Sequence, residues 1–362
     1  MPKRKGFLYD KMMDEEAIEA AIHKASRGKL KRRDVAGPMK DVPGTVAKIK
    51  SMLEDGSYVP TIPKTKIRKD PSSGKERVIK VVPFFPDGIM QQLAKDAMHD
   101  ILMRGMDHWS CASIPGRGNM RAIKHTKRIL RKDPKHTKYC AKLDIHHYYA
   151  SIDVDELMRM FRRKIKDERF LRFIEAIFRS DPDGGLAIGY YLNQWAANFY
   201  LQGLDRYIRN LDGVHHYVRN MDDMVLYGSN KRKLHKAVDS ISEYIAFGMN
   251  LELKDNWQVF PVDSRSVDFV GYRFYHDHTI LRKRNFLRFI RTCRKVRKLI
   301  EEGKEISVHL AASLMARAGQ LKHCDSQHIL EKYLYPIDVK MIKGIIRRDS
   351  RARMAVPAGD VQ

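Results

Sequence analysis

Three aspartates carry the most pronounced chemistry in this sequence. Asp144 closes the apolar run CAKLD, and Asp222 and Asp223 stand side by side in YVRNMDDMVLYG. Aspartate is depleted in strands and adjacent carboxylates repel, so an Asp-Asp pair at the tip of an apolar hairpin needs solvent, an arginine or a metal ion beside it. Taken alone, the dipeptide reads as a solvated turn. Taken with Asp144 at the end of another apolar strand, it predicts three carboxylates on one sheet edge. Hard oxygen ligands of that kind suit Mg²⁺, and two such ions roughly 3.5–4 Å apart activate an attacking oxygen and stabilise a leaving oxygen in phosphoryl transfer.

The rest of the chain is rich in the charge that such a reaction needs. Its 362 residues include 69 Lys+Arg against 44 Asp+Glu, a net +25, and that surplus predicts a polyanionic partner. Nucleic acid is the leading partner and an anionic membrane the rival. No stretch approaches the roughly 20 apolar residues of a spanning helix, and MPKRKGFLYDKMMDEE lacks the apolar core of a signal peptide. A cytoplasmic protein that does not engage a membrane is therefore expected. The four cysteines, Cys111, Cys140, Cys293 and Cys324, form no pair at zinc-ligand spacing and read as free thiols; His323 beside Cys324 reads as a partly buried helical pair.

The elements that must position these residues follow from periodicity. EEAIEAAIHKAS and VAKIKSMLEDG predict two helices within residues 14–54, divided by the basic turn GKLKRRD and a Gly-Pro break. KTKIRKDPSSGKERVIKVVPF predicts a basic hairpin around DPSSGK, and residues 87–104 and the stretch after SIPGRGN read as helices. CAKLDIHHYYASID reads as a strand passing into an acidic helix start, and LNQWAANFYLQGLDRYI as a helix burying Trp195, Phe199, Leu201 and Leu204. HHYVRN, DD and MVLYG predict strand, turn and strand. After a helix over 231–247 come short strands in LELKDNWQVFP and VDFVGYRFYHDHTIL, then a basic helical region from Lys283 to about Ile346. Its first helix interleaves Arg288, Arg291 and Lys295 with Phe289, Ile290 and Val296, so one face would pack while the other follows a nucleic-acid backbone. The fold class expected is α+β.

KLDIHHYYASID, GLAIGYYLNQWAANFYL, YVRNMDDMVLYG and DFVGYRF, in that order from about Lys64 to Tyr272, resemble the reverse transcriptases of bacterial retroelements. The resemblance implies a right-hand polymerase: fingers over 61–140, an antiparallel RNA-recognition-like palm over 141–280 with fingers helices within about 155–185, and a helical thumb over 281–347. A basic helical extension over 1–60 and a disordered tail over 348–362 would flank them. It implies that Asp144, Asp222 and Asp223, with the carbonyl of Ile145, hold two Mg²⁺ ions, Mn²⁺ serving as a substitute, for attack of a primer 3′-hydroxyl on a dNTP. Lys75 and Arg77 would clamp the triphosphate, Tyr149 would exclude a ribose 2′-hydroxyl, Gly189 and Gln194 would line the nucleotide site, and Lys254 is the nearest candidate to protonate pyrophosphate. Arg117, Asn220, Gly271, Arg288, Arg291 and Lys295 would contact nucleic acid.

Ile188-Gly189 and Asn193-Gln194 stand where many relatives have Gln-Gly and Ser-Pro, and are closer to enzymes of diversity-generating retroelements and antiphage defence. Asn220 stands where the family's Tyr-x-Asp-Asp has tyrosine, and Gly88 where an arginine is frequent. The partners implied are an RNA template of a dedicated structured non-coding kind, the DNA product, dNTPs, and an accessory protein or second polymerase, in a bacterial or phage-encoded setting. Two other functions compete: a nucleic-acid-binding scaffold that has lost catalysis, which Asn220 favours and the retained carboxylates oppose, and a metal-dependent nuclease, which lacks a second acidic set.

Overall fold

The computed structural model describes residues 3–69, 74 and 76–355, with side chains as far as residue 350. Helices combine with antiparallel sheets, as the α+β expectation requires, and among the described residues no helix is long and apolar enough to cross a membrane. The chain divides into two compact units, residues 1–122 with 139–259, and residues 123–138 with 260–362.

The first unit begins with four helices, α1 (Leu8–Met13), α2 (Glu15–Ser26), α3 (Arg33–Lys40) and α4 (Val42–Glu54), the last three lying within residues 14–54, where two were expected. Asp14 and Asp41 explain two of the starts: each side chain accepts from a backbone N–H three residues on, at Ala17 and Gly44. The Gly37-Pro38 break falls inside α3. Next, β1 (Lys64–Lys69) and β2 (Glu76–Val81) form a largely exposed antiparallel hairpin that sets Arg68 opposite Arg77. A π-type turn, Phe84–Gly88, leads into α5 (Ile89–Ala97) and α6 (His99–Met103); then α7 (Gly118–Lys132) carries the chain into the second unit.

The elements that carry the three aspartates follow. They are β3 (Tyr139–Asp144), the short α8 (Tyr148–Ser151), α9 (Val154–Arg162), α10 (Glu168–Phe178), α11 (Tyr191–Tyr200) and α12 (Gln202–Arg209). After them come β4 (His216–Asn220), β5 (Asp223–Gly228), α13 (Lys231–Met249) and β6 (Gln258–Pro261). The strands form one sheet in the order β4-β5-β3-β6, with β5 antiparallel to both neighbours. One sheet face lies under α13, and the core includes the expected Trp195, Phe199, Leu201 and Leu204, all essentially sealed from solvent.

In the second unit β7 (Val267–Phe269), β8 (Tyr272–Phe274) and β9 (Thr279–Leu281) make a three-stranded antiparallel sheet, followed by α14 (Lys283–Glu301), α15 (Val308–Leu321), α16 (Gln327–Tyr333) and α17 (Val339–Ala355). Residues 260–280 thus group with the helices that follow them rather than with 141–259. The stretch from 348 to 355, expected as tail, continues α17.

Candidate active site

The hairpin β4–β5 closes one residue earlier than the sequence pattern suggests. Asn220 pairs with Asp223, so the two-residue turn is Met221-Asp222 and Asp223 is the first residue of β5. Asp223 also stands directly opposite Asp144 of β3, and directly opposed residues project from the same sheet face. Met221 holds the turn with φ +64°, a left-handed conformation that is strained for a side chain of this size. Two contacts keep it there: its carbonyl accepts from Nη1 of Arg219 at 3.0 Å, and its Sδ lies 3.7 Å from the Tyr149 hydroxyl.

Burial, and then the charge of Asp144, push the Asp222 carboxyl above its ordinary range, while Lys254 and Arg77 pull the other way. The Lys254 ammonium forms an ion pair with Asp144. Its position is fixed by the backbone: Lys254 N–H donates to the Asp144 carbonyl at 2.9 Å and His146 N–H to the Glu252 carbonyl at 2.7 Å, an antiparallel bridge between Ile145 and Leu253. Lys254 therefore lies against Asp144, and its charge reaches Asp222. Asp223 lies toward Lys142, whose ammonium is 4.0 Å away.

Among the described residues no three His, Cys, Asp or Glu side chains gather as metal ligands, so the three-carboxylate cluster is not formed as expected. Lys254 pairs with Asp144, and Lys142 faces Asp223. The carboxylates of Asp144 and Asp222, which interact through their charges, are hard oxygen donors. Their mutual repulsion, visible in the raised Asp222 carboxyl, is what a divalent cation would relieve. The donor set fits such an ion.

Arg77 is exposed on β2, and its charge reaches Asp222. Lys75 lies outside the described residues. Tyr149 is on α8 and not on a strand, because the chain turns at His147, φ +41°, immediately after the bridge. Tyr148 is buried with its hydroxyl donating to the Ala197 carbonyl at 2.5 Å, whereas Tyr149 is half-buried beside the turn. Burial and Asp222 both push the Tyr149 phenol up, so it stays protonated.

Gly189 has φ +121°, and a Cβ there would lie 2.3 Å from the Lys80 carbonyl. This close approach lets Lys80 N–H donate to the Ile188 carbonyl at 2.7 Å, tying the basic hairpin to the segment before α11. Gln194, half-buried, sits in the first turn of α11. Arg117 turns inward, donating to the carbonyls of Asp107 at 2.5 Å and Ser110 at 3.1 Å, and so braces its own loop rather than reaching out for nucleic acid. The Asn220 side-chain oxygen is buried, and among the described residues nothing donates to it. A cleft of about 890 Å³ beside the hairpin is lined by Arg27, Lys29, Lys66 and Arg68 together with Phe84 and Tyr191. In the second unit Gly271 shares the β7–β8 turn with Val270, both at positive φ, and Arg288, Arg291 and Lys295 occupy the face of α14 opposite buried Phe289, Ile290, Cys293 and Val296.

Sequence reasoning missed Arg219. Fully buried behind the turn, it donates Nε and Nη2 to the two Asp205 oxygens at 2.7 and 2.6 Å and shares Nη1 between Asn198 Oδ1 and the Met221 carbonyl, both at 3.0 Å. Tyr217 donates to the same Asp205 at 2.7 Å. The only signal was an arginine inside an apolar strand, which reads by default as an outward side chain.

The family profile described as reverse transcriptase (RNA-dependent DNA polymerase) matches residues 62–274. No curated protein sequence matches. Similar solved structures include an apo telomerase from Candida tropicalis truncated from its C-terminal domain (14% identity, 59% of this chain and 53% of that one, TM-score 0.43). Apo telomerase from Candida tropicalis is a second (14% identity, 60% and 48%, TM-score 0.43). The third is telomerase from Candida albicans in complex with a TWJ fragment of telomeric RNA (12% identity, 59% and 45%, TM-score 0.43). The chain thus spans about half the length of these structures.

Proposed function

The chain belongs to the reverse transcriptase (RNA-dependent DNA polymerase) family, and on that premise we propose that it extends a primer with dNTPs by copying RNA into DNA. The observation that carries this reading is the placement of Asp144 at the end of β3 and Asp222 in the β4–β5 turn, where the charges of Asp144, Lys254 and Arg77 all act on the Asp222 carboxyl. Family members use divalent metal ions; here the carboxylates of Asp144 and Asp222 and the Ile145 carbonyl would hold Mg²⁺, with Asp223 recruited from Lys142, and the metal would stabilise charge on the reacting phosphate. Arg77 and Lys75 clamp the triphosphate. Tyr149, braced on Met221, fills the space of a 2′-hydroxyl, and Lys254, released from Asp144, gives its proton to the leaving pyrophosphate. The cationic cleft beside β1 takes the template strand, Tyr191 offering an aromatic face and Lys66 and Arg68 meeting the strand's phosphates. Arg288, Arg291 and Lys295 follow the duplex.

The template is a dedicated structured RNA, and the setting antiphage defence or a diversity-generating retroelement; Ile188-Gly189 and Gln194 support that assignment. Purification from the native host with sequencing of bound nucleic acid tests it. One dominant structured RNA with complementary DNA is expected. A broad spread of cellular RNA without complementary DNA would contradict it.

A further inference from the structure

A second cationic site lies in the first unit, made by elements that carry none of the carboxylates. A pocket of about 510 Å³ is lined by Lys3, Lys5, Arg104, Arg163, Lys164 and Arg206, with Asp100 as the one acidic side chain in its wall. Among the described residues none of the six cations forms an ion pair, although carboxylates are at hand for their neighbours. Arg162, beside Arg163, pairs with Glu168 and Glu175; Arg209, one turn beyond Arg206, pairs with Asp107. The N-terminal segment is pinned in place by Lys5, whose N–H donates to the Lys164 carbonyl at 2.8 Å and whose carbonyl accepts from Lys166 N–H at 2.8 Å. The convergence is thus built into the backbone, and like charges brought together in a concavity repel unless an anion fills it.

We propose that this pocket binds phosphate groups of nucleotide chemistry. Three guanidiniums present forks matched to phosphate oxygens, and Ile101 and Met160 add apolar wall that a lone inorganic ion would not need. The volume suits a nucleotide-sized ligand. Two sources share this chemistry, the backbone of a folded RNA and a free nucleoside polyphosphate. The site is independent of polymerisation, since no residue assigned to catalysis lines it.

The test uses the full chain in EDTA without dNTPs, so that a failure of the polymerase reading leaves it intact. Binding of a labelled RNA stem-loop and of ATP is measured for wild type, for Arg163→Glu/Arg206→Glu, and for the surface control Lys231→Glu/Arg232→Glu on α13. Arg163→Gln/Arg206→Gln serves as the milder variant if the reversal fails to fold, with thermal melting as the check. RNA affinity about tenfold lower than in the control, with a salt slope reduced by about 1.5, supports the site with RNA as the source. A loss confined to ATP supports it with the free nucleotide. Affinities for both probes equal to those of the control overturn it.

Discussion

Asp222 is half-buried beside a second carboxylate and raised for that reason, which sets function against stability at a single residue. Asp222→Asn removes the repulsion, so it is expected to abolish primer extension while raising the melting temperature in EDTA by about 2 °C; a fall in melting temperature would contradict the electrostatic account. Tyr149 is held beside the same turn through Met221. Tyr149→Ala should therefore increase ribonucleotide incorporation while deoxynucleotide extension continues, and unchanged sugar discrimination would remove its gate role. Arg219 is the third case. Its ion pair with Asp205 is sealed from solvent, and Arg219→Met strands that carboxylate at a cost of about 3–5 kcal/mol. Arg219→Lys keeps a cation but loses the fork that reaches the Met221 carbonyl. It should fold, by circular dichroism, and extend primers with a lower kcat at nearly unchanged dNTP KM; a wild-type kcat would show that the turn does not depend on the brace.

At the scale of elements, the hairpin β1–β2 depends on Gly189. A methyl group there meets the Lys80 carbonyl at 2.3 Å, on a backbone conformation that alanine disfavours. Gly189→Ala should displace the hairpin and raise the dNTP KM about tenfold, measured by single-nucleotide incorporation, with RNA binding preserved. A KM equal to wild type would mean that the contact does not position Arg77. The elements themselves were legible where apolar periodicity was strong: β3, β4, β5, α11 and α13 lie close to where the sequence pattern puts them. Three details were not. The turn is Met221-Asp222 because register is decided by which cross-strand pair closes the hairpin, and Asn220 with Asp223 does so. Tyr149 is helical because His147 takes a left-handed conformation that no periodicity signals. Lys254 meets Asp144 through the Ile145–Leu253 bridge, a pairing between segments far apart in sequence.

For the molecule as a whole, the surplus of 69 basic over 44 acidic residues was visible from composition, and its placement was not. Arg117, read from a Gly-rich loop as a nucleic-acid contact, is spent on its own carbonyls, whereas Lys66 and Arg68 line an open cleft and Arg163 and Arg206 a separate pocket. Burial and pairing sort such residues, and neither is written locally in a sequence. The acidic motif was legible because aspartates that end apolar strands have few structural reasons to be there; the arginine that holds their turn was hidden because burial cancelled its usual meaning. The assignments proposed for Asp144, Asp222, Asp223, Tyr149 and Lys254 concern one reaction. The most direct measurement is extension of a primed RNA template with dNTPs and Mg²⁺ by wild type and by Asp222→Ala/Asp223→Ala, both shown to be folded. The account predicts complementary DNA from wild type and none from the double variant; equal product from the two proteins would contradict it.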